Sequence, residues 1–246
     1  MEPVSTAMVF VAIAIGAFLK GITGLGLPVV ALPVLSYFLG LPHAISVLML
    51  PILITNLHQS LQTRDAWREA VFLWPGLLTG AVGLSAGTWI LNVMDPNRLN
   101  LGLGLMLFLY IGLRLFSPQF ALADKTACRL APLAGFLGGF AQGSTGLCAA
   151  VIVPFLQSTR MSRTAVVFTI STVFLIFSVV QFVTFLVAGL IEAGFLLEGA
   201  LALIPVAIFM PLGGWLSPRL PKKIFDRIFL VVLTVVAAGL IEKAIW

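Results

Sequence analysis

Apolar residues run in long unbroken blocks along this chain, over Val4–Leu19, Ala44–Leu57, Val71–Val93, Leu99–Leu113, Thr164–Leu190 and Phe229–Leu240. Continuous runs of this kind read as helices facing hydrocarbon, whereas the strands of a membrane barrel would alternate apolar and polar residues at every second position. The polar stretches between them, Arg64–Glu69, Gln119–Arg129 and Ser217–Arg227, are too short to fold alone. The pattern therefore predicts an all-α integral membrane protein with no appended soluble domain. Its expected helices are 4–20, 26–39, 43–62, 70–92 and 98–116 in one half, and 130–142, 147–157, 163–188, 196–216 and 227–244 in the other.

The two halves are related. Gly16-Ala-Phe-Leu-Lys-Gly-Ile-Thr-Gly-Leu-Gly26 matches Gly138-Gly-Phe-Ala-Gln-Gly-Ser-Thr-Gly-Leu-Cys148, with identity at Gly16/Gly138, Phe18/Phe140, Gly21/Gly143, Thr23/Thr145, Gly24/Gly146 and Leu25/Leu147. Further landmarks follow in the same order: Pro33 and Pro154, Ala44 and Ala165, Pro75 and Pro205, Gly83 and Gly213, Arg98-Leu99 and Arg227-Ile228. An ordered series of this sort marks an internal duplication, residues 1–122 and 123–246, together forming one transport domain. Each copy reads as a helix pair around a glycine-rich break, followed by three transmembrane helices. At 1.5 Å per residue the first pair measures only about 24 and 20 Å against a hydrocarbon core of about 30 Å, so the pair is expected to be re-entrant or only shortly spanning. Either way the chain returns to its entry side, each copy crosses an odd number of times, and the copies are inverted.

Charge orients this scheme. Hydrophobic residues make up 60% of the chain and charged residues 9%, against about 25% charged in an ordinary soluble domain. Of the 14 Lys and Arg residues, all but Lys20, Arg98 and Lys243 fall on the side opposite the N-terminus. That side is the cytoplasm by the positive-inside rule, which puts both termini outside it. The net charge of +5 thus reports topology and gives no reason to expect a nucleic-acid partner. Met1-Glu2-Pro3 carries no positive leader, so Val4–Leu19 is expected to be the first helix and not a cleaved signal. The first break should dip in from outside and the second from the cytoplasm, their tips approaching near the midplane.

Non-helical backbone at membrane depth must be buried in protein or line a wet cavity. The helix after each break begins at its tip, where free N–H groups and the positive dipole end can hold an anion. Lys20 adds a full charge at the first break, and Gln142 is its neutral counterpart at the second. The expected binding set is Lys20, Gly21, Thr23, Gly24 and Gly26 with Gln142, Gly143, Ser144, Thr145 and Gly146. Close packing of helices through small residues is the competing explanation of the glycines. Asn56, Gln59 and Thr63 share one helix face, and Ser178, Gln181 and Thr184 occupy the corresponding region, so Asn56, Gln59 and Gln181 are expected to line a path; hydrogen bonding between helices would explain them equally.

Other chemistry is thin. Cys128 and Cys148 suit neither a disulfide framework nor a metal site, and His43 and His58 are isolated, so neither a metal nor a cofactor is expected. Carboxylates are missing from the depths of the predicted helices, which disfavours a metal-cation carrier. An enzyme would need a nucleophile, base or metal cluster, and no His-Glu-x-x-His, aspartate pair or Ser–His–Asp set is present.

At Gly21, Gly24 and Gly26 leading to Pro33, and again at Gly143 and Gly146 leading to Pro154, the chain resembles the TauE/SafE-type sulfite exporter family of bacterial membrane proteins, over essentially its whole length. The resemblance implies transport of small sulfur-containing anions such as sulfite, thiosulfate or organosulfonates, commonly export across the bacterial inner membrane. Cys148 departs from the pattern where a glycine would be expected. A channel or carrier for another small solute, and less readily a membrane-embedded enzyme, are the competing functions. A homodimer is compatible with the sequence.

Overall fold

Helices dominate because the apolar blocks leave the backbone no partner but itself. The computed structural model describes residues 3–24, 26–70, 74–116, 122–219 and 222–245. Met1, Glu2, Leu25 and the start of the 119–129 polar stretch lie outside them, as do the side chains of Arg227 and Ile228. In chain order the helices are α1 (Pro3–Thr23), α2 (Leu27–Leu39), α3 (Leu41–Gln62), α4 (Trp67–Ala70), α5 (Trp74–Val93), α6 (Pro96–Phe116), α7 (Asp124–Thr145), α8 (Ala149–Gln157), α9 (Arg163–Val187), α10 (Ala193–Leu201), α11 (Leu203–Leu216) and α12 (Lys222–Ile245). Among the described residues, five stretches are long and apolar enough to cross a bilayer: Leu41–Gln62, Trp74–Val93, Pro96–Leu115, Arg163–Val187 and Ala193–Leu216. The fold is that of an all-α membrane protein.

Some expected boundaries move. The helix foreseen at 70–92 is seen over Trp74–Val93, with a further helical turn over Trp67–Ala70; residues 71–73 between them lie outside the described residues. The one foreseen at 196–216 pauses at Ala202, where Pro205 has no N–H to offer the Leu201 carbonyl. The helix pairs also differ in length from the expectation. With 21 and 22 residues, α1 and α7 are each about 32 Å long, though neither is among these five stretches. Only the returning helices are short, α2 with 13 residues and α8 with 9. Residues 21–23 and 143–145, foreseen as broken backbone, are helical.

Contacts divide the chain into two compact units. The first contains the described residues of Met1–Pro51, Asp95–Ile111 and Leu190–Trp246; the second contains those of Ile52–Met94 and Gly112–Gly189. Each unit draws helices from both sequence halves.

The second unit is organised by α5 against α7. An added Cβ at Gly135 would strike the Gly76 carbonyl, one at Gly139 the Gly80 carbonyl, and one at Gly143 the Leu84 carbonyl. Hydrogen in place of a side chain lets the two backbones touch over three turns, the close approach that small residues permit in membranes. Because 76, 80 and 84 meet 135, 139 and 143 in rising order, the helices run parallel.

In the first unit α1 meets α11 the same way, but over a shorter length. A Cβ on Gly21 would strike the Met210 carbonyl, and one on Gly213 the Phe18 carbonyl. The contact of Gly21 with Met210 and Gly214 repeats that of Gly143 with Leu84 and Thr88. Structural equivalence in these helices therefore pairs Gly213 with Gly87, whose Cβ would strike the Phe140 carbonyl, and not with Gly83 as the order of landmarks suggests. The difference is one helical turn, and both positions carry glycine.

Candidate functional site

The two breaks are built alike, each inside its own unit. α1 ends when Gly24 turns left-handed (φ 77°), and its N–H bonds the Lys20 carbonyl at 2.8 Å. At the end of α7, Gly146 (φ 73°) bonds the Gln142 carbonyl at 2.8 Å. This is the αL ending for which glycine carries no Cβ penalty. The preceding threonines also match: Thr23 donates to Leu19 O at 2.9 Å and Thr145 to Ala141 O at 2.7 Å.

The copies diverge at the next step. Gly26 has φ 136°, a conformation that side-chain-bearing residues rarely adopt, while Cys148 sits at φ −79° and ψ −12°. The sequence departure at Cys148 is thus a real change of backbone path. Val30 N–H bonds Gly26 O and Ile152 N–H bonds Cys148 O, so both short helices nevertheless begin at equivalent places.

At the first break Lys20 is 2% exposed. Burial of a lysine in an apolar chain is costly, and such residues are usually functional. Around it α1 is anchored to α11 by Gly21, and Ser217 donates to the Ile22 carbonyl at 3.0 Å. Gly21 faces Met210–Gly214, so the first break lies level with the end of the Ala193–Leu216 span. Glycine packing lets α1 run on to this level as a continuous helix. The second break is similar, since Gly143 lies beside Leu84 and Thr88 and leaves Gly146 about one turn short of the end of α5.

The second break closes on itself. Gln142 Oε1 accepts the Cys148 backbone N–H at 3.1 Å, and Gln142 Nε2 donates to Gln181 Oε1 at 2.8 Å. Gln181 Nε2 returns the bond to Gln142 O at 3.0 Å, with both glutamines buried. Gln142 therefore caps α8 with its oxygen, and one of the free N–H groups foreseen for an anion is already taken. Ser144 donates to Phe140 O at 2.8 Å. Gly21 and Gly143, both foreseen as binding glycines, are occupied in packing against α11 and α5.

Among the expected lining residues, Asn56 is buried and donates to Ile52 O at 2.8 Å, and Thr63 donates to Gln59 O at 2.8 Å. Gln59 Oε1 is buried without a hydrogen-bond partner among the described residues. A half-turn of that amide would present a donor instead. Asn56, Gln59, Gln142 and Gln181 belong to the second unit, Lys20 to the first.

Several polar contacts have no sequence pattern behind them. Ser36 donates to Asn100 Oδ1 at 3.2 Å, Thr88 and Thr184 hydroxyls meet at 3.3 Å, and His43 Nε2 lies 2.7 Å from Glu198 Oε2 beneath a stacked Phe195 ring. Asn100 alone had a signal, as a single amide within the apolar run Leu99–Leu113. Among the described residues no group of three or more His, Cys, Asp or Glu could hold a metal ion.

Comparison with known proteins agrees with this architecture. A family model described as "Sulfite exporter TauE/SafE" matches residues 8–240, from the first turns of α1 to the last of α12 and across both breaks. No curated protein and no solved structure matches the chain. TauE/SafE proteins are membrane transporters of sulfite-type anions, and this multi-pass membrane protein belongs to that family.

Proposed function

We propose that the protein exports a small sulfur-containing anion, such as sulfite, thiosulfate or an organosulfonate, by alternating access, with Lys20 as its principal anion-binding group. The observation that carries this reading is the burial of Lys20 at a glycine-terminated helix end, beside the start of α2. A buried cation next to a helix N-terminus favours a compact oxyanion over a neutral solute or a cation. Thr23, Gly24 and Gly26 complete this site in the first unit.

The second break, within its own unit, is a neutral counterpart. Gln142, Ser144, Thr145 and Gly146 shape it, and Gln142 is held by Gln181, so that it binds through orientation instead of charge. Asn56, Gln59 and Gln181 line the path through the second unit.

A duplication at 122/123 accounts for the two breaks, and the basic loops favour both termini lying outside the cytoplasm of a bacterial inner membrane. The ligands are a small anion and the bilayer, with a homodimer as the assembly. Nothing in the reading requires a bond to be made or broken, so the protein acts as a carrier and not as an enzyme. The test is a ligand panel of sulfite, sulfate, thiosulfate and several sulfonates, read as thermal stabilisation in detergent and as efflux from proteoliposomes. Stabilisation and efflux by the same sulfur anion are expected. Stabilisation only by cations or neutral solutes, or turnover of the ligand, would overturn the proposal.

A further inference from the structure

We propose that the cleft between α1 and α11 binds one anionic phospholipid, an acyl chain lying in the cleft and the headgroup phosphate on Arg219. The cleft has a volume of about 490 Å³ and is walled by Val11, Ile15 and Phe18 of α1 and by Phe209, Leu212 and Trp215 of α11. Its lining is almost wholly apolar, and most of these side chains are partly open to the surroundings. A soluble anion has nothing to bind there, whereas a hydrocarbon chain has a continuous surface.

The two glycine-packed pairs differ on this face. Gly83 of α5, whose added Cβ would strike the Phe136 carbonyl, has Phe209 at the corresponding place on α11, one of the walls of the cleft. A side chain there keeps apart backbones that glycine would let touch.

What selects an anionic lipid is the end of the cleft. The Arg219 guanidinium lies 4.1 Å from the ring of Trp215, a wall residue, and donates to the Trp215 carbonyl at 2.9 Å. The side chain is exposed, and among the described residues no carboxylate pairs with it. Arginine stacked on an interfacial tryptophan keeps its remaining donors available in a planar fork suited to phosphate oxygens. An apolar cleft ending in such a group fits a lipid that is hydrocarbon along its length and negative at its head. Lipid there would press on Phe18, less than a turn from Lys20, so its occupancy would bear on the first break.

The full-length protein in detergent micelles is titrated with phosphatidylglycerol or phosphatidylcholine carrying brominated acyl chains, which quench nearby tryptophan. The Trp215 signal is taken as the difference between the native protein and Trp215→Phe. Expected is quenching of this signal at a several-fold lower lipid fraction for phosphatidylglycerol than for phosphatidylcholine. Arg219→Gln should erase the preference and Arg219→Lys restore part of it, each variant keeping the native melting temperature within a few degrees. Equal quenching by the two lipids, or a preference that survives Arg219→Gln, would overturn the proposal. So would an Ile15→Cys variant that forms a disulfide between copies while Trp215 escapes quenching, because a second copy would then occupy the cleft.

Discussion

Gln142 Oε1 accepts the backbone N–H of Cys148 at 3.1 Å, so the residue standing where the first copy has Lys20 serves as the cap of the next helix. The two breaks share an αL glycine, but one places a buried lysine there and the other a satisfied amide. Gln142→Ala should remove the α8 cap and leave the buried Gln181 Oε1 without its donor, at a cost of about 1–3 kcal/mol. Thermal unfolding in detergent measures it. Cys148→Ser, which keeps the backbone path and the N–H donor, should change stability by under about 0.5 kcal/mol if the capping bond is what matters.

Backbone contact between α5 and α7 makes a second prediction. Gly139→Ala would put a methyl group into the Gly80 carbonyl and should cost about 1–3 kcal/mol or more, because rigid backbone faces rigid backbone. Gly112→Ala is the control, since nothing lies within 4 Å of its added Cβ. Comparable melting temperatures for the two variants would contradict the packing.

A third prediction concerns Gly26. Its φ of 136° is strained for any other residue, so Gly26→Ala should cost about 1–3 kcal/mol, while at the equivalent place Cys148→Ala should be nearly silent. Melting curves of the two single variants decide it.

Topology is tested by tags. If the basic loops face the cytoplasm, epitopes added at both ends should be reached by an impermeant reagent from outside, and a C-terminal tag protected from it would contradict the orientation.

The helices and the break glycines could be read from the chain because each has a local cause: long apolar runs need internal hydrogen bonds, and an αL ending needs glycine. The role of Gly21 and Gly143 could not. A glycine within a few residues of another fits a broken helix and a close helix contact equally well, and the Met210 and Leu84 carbonyls opposite them are what show the contact. For the same reason α1 and α7 continue further along their partners than the expected break positions allow. Lys20 and Gln142 were both singled out as polar groups at the breaks, but the partnership of Gln142 with Gln181 depends on residues 39 positions apart and leaves no local pattern. Ser36 and Asn100, 64 positions apart, are hidden in the same way.

The central claim is that Lys20 holds the anion, and the most direct measurement is sulfur-oxyanion binding by Lys20→Ala and Lys20→Glu in detergent, with melting temperature and elution profile as fold controls. Both variants should remain folded and lose ligand-induced stabilisation, along with flux in proteoliposomes. Native-like binding by a folded Lys20→Ala would remove Lys20 from the site and contradict the account.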